Sequence, residues 1–242
     1  VELANLKRDK SISKSQPMIS GLMASDLYTM AVDTAYLEKS SGGALCVKIS
    51  FVDRIGHKLN ITEYVTSGDA KGNKNYFEKN GKKFYLPGFD IINNICLLAA
   101  GRELGDIIAT KKTMNIQAWD WKTRSMQTAP KEVLSDLIGK EIMLGVVQRK
   151  VNKQRKTAEG KYVPTAEIRN ENAVSAVFRA SDGSLLEEIE AKTAPLYKDQ
   201  WLATFKDKII DKTVPVEEES AATAGVSFNE TVDAEAVKAM FP

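Results

Sequence analysis

Apolar residues recur at every second position over three segments in the first third of the chain. Tyr28, Met30, Val32, Thr34 and Tyr36 alternate with Thr29, Ala31, Asp33 and Ala35, the period-two pattern of a half-buried strand. Ser40-Ser41-Gly42-Gly43 then supplies a turn. Leu45, Val47, Ile49 and Phe51 alternate with Cys46, Lys48 and Ser50, which predicts a second strand. Asp53-Arg54-Ile55-Gly56 closes the hairpin, and residues 58–66 read as a third strand. The three together predict an antiparallel meander.

Residues 67–83 break the pattern with Gly68, Gly72 and Gly81, predicting a long basic loop or a short ribbon. Leu86-Pro87-Gly88-Phe89 leads into a helix with Asp90 as the expected N-cap. Ile91, Ile92, Ile95, Leu98 and Ala99 follow at helical spacing, and Gly101 is its stop. A strand over 113–121, a short helix over 131–138 and a hairpin pairing 141–151 with 161–168 come next. From residue 170 to about residue 207, the spacing of Val174, Val177, Phe178, Leu185, Leu186, Ile189, Leu196, Trp201 and Phe205 predicts helix. The expected organisation is a mobile arm at 1–25, a barrel domain at 26–169, a helical extension packed on it at 170–213 and a flexible tail at 214–242.

This order of elements matches an OB-fold, a five-stranded, partly open Greek-key barrel. The expected class is therefore mainly β (α+β): an OB-fold-like five-stranded antiparallel barrel with helical additions and a disordered acidic C-terminal tail. Other α+β arrangements share the same order.

Charge changes the picture. The chain carries a net +2, but from Val214 onward there are six acids (Glu217, Glu218, Glu219, Glu230, Asp233 and Glu235) against Lys238 alone. The tail thus holds −5 and residues 1–213 hold +7. A basic body with an acidic tether suits an anion binder that carries a competitor for its own groove. The cations concentrate in residues 71–83 (Lys71, Lys74, Lys79, Lys82, Lys83) and 149–161 (Arg149, Lys150, Lys153, Arg155, Lys156, Lys161). On the blander reading each run is a solvated loop or hairpin tip. No apolar run approaches bilayer length and no apolar leader opens the chain, so a cytoplasmic protein without membrane contact is expected. Cys46 and Cys96 sit among apolar neighbours, as buried reduced thiols do.

The candidate chemistry is that of flat rings beside cations. On the strand at 113–121, Met114, Ile116 and Ala118 share one face, while Asn115, Gln117, Trp119 and Trp121 share the other. Two indoles beside two amides suit a platform on which bases stack, and Lys122 and Arg124 follow as phosphate contacts. The competing reading packs one indole under the C-terminal helices. Tyr64 shares a face with Asn60 and Thr62 and is a second stacking candidate. Tyr76, Phe77, Phe84 and Tyr85 interleave with Lys74, Lys79, Lys82 and Lys83, lysine for phosphate and ring for base. Arg149, Lys150 and Lys153 form a candidate backbone rail. Catalytic signals are scarce: His57 is the only histidine, and Gly68-Asp69-Ala70-Lys71-Gly72-Asn73-Lys74 lacks the Gly-Lys-Ser/Thr ending of a phosphate loop. Asp33, Asp53 and Asp120 make no constellation. No enzyme activity, cofactor or metal site is expected.

Four stretches carry a resemblance. They are Val65-Thr66-Ser67, the Tyr85-Leu86-Pro87-Gly88-Phe89 box with its helix through Cys96-Leu97-Leu98, Leu137-Ile138-Gly139-Lys140-Glu141-Ile142, and Val177-Phe178-Arg179. Over roughly residues 20–210 the chain resembles the OB-fold single-stranded DNA-binding proteins of lytic tailed bacteriophages. The resemblance implies coating of single-stranded DNA in DNA replication, recombination and repair, in the host cell cytoplasm. Some such relatives also touch the transcription machinery, which would make host RNA polymerase a partner. The tail, with Glu230, Asp233, Glu235 and its Met240-Phe241-Pro242 end, is similar to the tails through which bacterial single-strand binders recruit replication and recombination proteins. An RNA-binding or transcription-regulating OB-fold module is the alternative, since it uses the same rings and lysines.

Overall fold

The computed structural model describes residues 21–120, 122–157 and 162–216. The expected meander is present: β1 (Asp26–Lys39), β2 (Leu45–Val52) and β3 (Lys58–Tyr64) pair antiparallel in order. After β3 comes a small separate ribbon of β4 (Tyr76–Lys79) and β5 (Lys82–Tyr85). Its Asn80-Gly81 turn has φ of 53° and 72°, the pairing of residues that a tight hairpin turn of this hand requires.

The helix α1 (Pro87–Ala100) follows, with Pro87 in its first turn and Gly101 stopping it in the left-handed region at φ 68°. Leu86, not Asp90, occupies the N-cap; Asp90 lies inside the first turn. Helix α2 (Leu104–Ala109) leads to a hairpin of β6 (Lys112–Asp120) and β7 (Ser125–Val133). The helix expected over 131–138 is absent. Its apolar residues end β7 and form a 3₁₀ turn at Ser135–Leu137, where buried Leu134 and Leu137 plug the core.

The long strands β8 (Glu141–Lys156) and β9 (Tyr162–Phe178) then pair antiparallel. The boundary expected at 169/170 falls inside β9, and residues 170–178 are strand rather than helix. The cause is a register shift beside Gly145: Val146 faces Val174, Gly145 faces Ala176 and Leu144 faces Val177. The extra residue, Ser175, spaces the two core valines three apart, which imitates helical periodicity in the sequence. Helical structure in this region is confined to α3 (Leu186–Ala191) and α4 (Tyr197–Phe205), after which β10 (Ile209–Asp211) adds parallel to β8.

The protein is thus mainly β, an antiparallel sheet (β10 apart) with four helices among the described residues. Its hydrogen-bonded path runs β9–β8–β1–β2–β3, and no ladder joins β3 to β9, so the sheet is not closed. Helix α1 packs against β3, β8 and β9 and so bridges the two ends of the path.

The main core lies on one side of the sheet. Val47, Ile49, Phe51, Leu59 and Ile61 meet Ile92, Ile95 and Cys96 of α1, with Ile142, Leu144 and Val146 completing it. A second cluster sits on the opposite side of β8 and β9, where Trp201 of α4 is 1% exposed beside Phe178 and Val147. The Trp201 indole N–H donates to the Ser175 hydroxyl at 3.0 Å, which in turn donates to the Gly145 carbonyl at 3.2 Å. The polar bulge residue therefore receives the one polar atom of the anchor.

Residues 21–25, the end of the arm expected to be mobile, are tied down. The Met23 amide donates to Asn172 at 2.8 Å and its carbonyl accepts from the same side chain at 2.7 Å. Ser25 is buried, donating to the Lys208 carbonyl at 2.5 Å and accepting from the Gln148 amide at 2.8 Å. The remainder of that arm, residues 1–20, lies outside the described residues. No helix among the described residues is long and apolar enough to cross a membrane.

Candidate nucleic-acid interface

A bulge in β1 decides what the outer face of the sheet presents. The register shifts between Val32 and Thr34, so Met30 and Val32 are buried before it and Ala35 and Leu37 after it. Strict alternation would have placed Thr34 and Tyr36 in the core with Met30. Instead they emerge on the outer face.

Cross-strand partners share a face, which makes that surface a small lattice. One row runs Glu38, Cys46, Tyr64 across β1, β2 and β3; the next runs Tyr36, Lys48, Thr62; the third runs Thr34, Ser50, Asn60. On the other side of β1, Tyr36 faces Val133 and Leu37 faces Glu132, which brings Lys131 of β7 beside Glu38. The Lys131 ammonium reaches Glu38 at 2.6 Å and lies 5.5 Å from the centre of the Tyr36 ring. Lys48 pairs with the other oxygen of the same carboxylate. Partial burial works against the charge of Glu38, but hydrogen bonds from Lys131 and Lys48 outweigh it and hold its carboxyl below the ordinary value. Cys46 lies beneath this group, and burial pushes its thiol up.

Tyr64 is 50% exposed at the end of β3. The α1 start rests on its backbone: a Cβ on Gly88 would lie 2.5 Å from the Tyr64 carbonyl oxygen. That approach brings the β4–β5 ribbon back to the same place, because Tyr85 is three residues from Gly88 and so within roughly 11 Å of it. On the ribbon, Tyr76 faces Tyr85 and Phe77 faces Phe84. Lys83 lies 4.8 Å and Lys74 5.5 Å from the Tyr76 ring centre, while Phe77 and Phe84 stack at 5.7 Å and are both exposed. Lys71, Lys79 and Lys82 have no acid within ion-pair distance among the described residues. Phe89, by contrast, is half-buried against the core and packs on Tyr85 at 5.1 Å.

The β6–β7 hairpin projects beyond the same end of β1. Trp119 faces Met126 across it, and both are exposed; Gln117 and Thr128 are hydrogen-bonded at 2.6 Å on that face. Lys122 and Arg124 stand in the turn between the strands. Ala118 is buried on the opposite face, as the alternation predicts. By register, however, Trp119 continues the face of Leu37, not that of Tyr36 and Tyr64. The indole therefore does not belong to the tyrosine lattice. Trp121 lies outside the described residues.

Arg149, Lys150 and Lys153 stand on the β8–β9 hairpin, and Arg149 lies near enough to Glu63, the residue before Tyr64, for its charge to act on that carboxyl. The β8–β9 hairpin leaves the sheet beyond Asp26, which faces Val146, at the other end of β1. Two of these three cations are answered locally: Arg149 pairs with Glu171 at 2.7 Å and Lys153 with Glu167 at 2.6 Å. Asn152 holds Val214 by two hydrogen bonds of 2.7 and 3.1 Å, so the chain runs into the acidic tail from this arm. Glu230, Asp233, Glu235, Met240, Phe241 and Pro242 themselves lie outside the described residues.

The sequence reading missed Tyr36, Glu38, Lys48 and Lys131 as surface partners of Tyr64. The alternation of β2 did place Lys48 outward, but the β1 bulge and the β1–β7 pairing leave no local signal. His57 is engaged with Asp53, its ring 2.6 Å from the carboxylate at the β2–β3 turn. No group of three or more histidine, cysteine, aspartate or glutamate side chains among the described residues is placed to hold a metal. No family model matches the sequence, and no characterised protein matches it at a significant level.

Proposed function

We propose that the chain binds single-stranded DNA without strong sequence preference and performs no chemistry. The observation that carries this reading is the end of the sheet where exposed Tyr64, Tyr85 and the ribbon phenylalanines stand near Lys71, Lys79 and Lys82, which have no acidic partner among the described residues. Rings of this kind stack on any base, and the lysines displace counterions from the backbone. The path β9–β8–β1–β2–β3 with α1 between β3 and β8 supports an OB-fold, here in its open form, whose strand 2–3 face is the one that carries Tyr64.

The resemblance to phage single-strand binders extends the proposal to coating of DNA during replication, recombination and repair in an infected cell. The tail would compete for the cationic surfaces and recruit partner proteins when DNA displaces it. Its departure beside Lys150 and Lys153 supports competition at the β8–β9 arm first.

Titration with a dT oligonucleotide at about 50 and 200 mM salt, read by tryptophan emission, tests the reading. Binding that weakens by roughly a hundredfold between the two salts is expected. Absence of binding at the lower salt overturns it, and preference for an oligo-U competitor would turn the proposal toward RNA.

A further inference from the structure

Glu38 stands where an anion from outside the protein would be most at home. Its two oxygens each take one ammonium, Lys48 on Oε2 and Lys131 on Oε1. The lysines come from β2 and β7, far apart in sequence, and converge beside Tyr36 one row from Tyr64. A phosphodiester offers the same pair of anionic oxygens to the same two donors. The cluster also holds two cations against one anion, so a positive charge is left over.

We propose that Lys48, Lys131 and Tyr36 form a phosphate-and-base subsite for single-stranded nucleic acid, and that the Glu38 carboxylate occupies it as a built-in competitor. The inference rests on the binding function proposed above. The side chains of Glu38, Lys48 and Lys131 keep a fifth to a third of their surface exposed, so solvent and an incoming polyanion reach both ion pairs. A polyanion can therefore exchange with Glu38 for the two lysines, and the carboxylate sets how tightly the strand is held. A purely structural tie between β1 and β7 would behave in the opposite way, since breaking it would loosen the face and weaken binding.

The test uses the full chain and a dT oligonucleotide titrated over a range of salt. Glu38→Gln should bind several-fold to about tenfold more tightly at low salt, with a salt slope steeper by about 0.7 to 1.4, one to two additional phosphates. Adding Lys48→Met and Lys131→Met to Glu38→Gln should abolish the gain. Should Glu38→Gln lose its melting transition, Glu38→Asp, which keeps the charge and retracts it by one methylene, should give a smaller gain in the same direction. Unchanged or weaker binding by the folded variants, or a gain that survives loss of both lysines, overturns the subsite. Failure of the unaltered protein to bind at all instead overturns the function on which it rests.

Discussion

Gly88 sits on the backbone of Tyr64. A Cβ at position 88 would lie 2.5 Å from the Tyr64 carbonyl oxygen and 3.0 Å from its amide nitrogen, both of them backbone atoms that cannot swing aside. Helix propensity alone makes Gly→Ala inside α1 stabilising by about 0.5–1 kcal/mol. The close approach reverses the sign. Gly88→Ala is expected to lower stability by about 1–3 kcal/mol and to weaken oligonucleotide binding by displacing Tyr64. A melting curve and a dT titration on the same variant check both halves.

Tyr64 and Tyr85 are 50% and 61% exposed, so their rings add little to the core. Replacing either with alanine should leave the denaturant midpoint nearly unchanged while costing about 1–3 kcal/mol of single-strand affinity. Equal losses of stability and affinity would mean that the rings hold the fold instead.

Tryptophan emission should divide by location. Trp201→Phe removes a buried indole and its bond to Ser175, which should cost about 1–3 kcal/mol of stability but leave oligonucleotide-induced quenching intact. Trp119→Phe should leave stability unchanged and reduce the quenching. The contrast is read by fluorescence with and without dT.

Burial raises the Glu63 carboxyl above its ordinary value, with the positive charge of Arg149 opposing it more weakly. Ionising this side chain therefore costs folding free energy once pH rises above the value in the unfolded chain, and the full cost is reached above the raised folded value. Glu63→Gln should stabilise the protein at pH 7, with the gain vanishing at acidic pH where the glutamate is protonated in both states. Denaturant unfolding across that pH range gives the comparison.

Asp53 shifts in the other direction. Burial works against its charge, but hydrogen bonds from the His57 ring and from the His57 and Ile55 amides hold its carboxyl below the ordinary value. That contribution is present above the unfolded-state value and is lost as pH falls through the depressed one. Asp53→Ala should flatten the acid limb of the stability profile.

Where a strand carried its side chains in unbroken alternation, sequence and structure agree. The faces of β2, β3 and β6 emerged as read, with Ile49 and Ile61 inward, Tyr64 outward, and Ala118 and Trp119 on opposite sides. The Asn80-Gly81 ribbon and the Gly101 stop also follow from local backbone preferences. Bulges defeated the reading. One in β1 turned Tyr36 from expected core to surface, and one at Ser175 made the end of β9 look helical. Neither is recognisable as a bulge from the order of apolar residues, because an extra residue in one strand is defined only against its partner.

Alternation, turn chemistry and the helix stop are local properties, and they were enough for the sequence to determine a mainly β chain with a basic loop or ribbon after its third strand. Which residues share a surface was decided only by pairing between distant strands. Lys131 meets Glu38 across 93 residues, and Trp119 is directed away from the tyrosine face, because register propagates through hydrogen-bonded neighbours rather than along the chain.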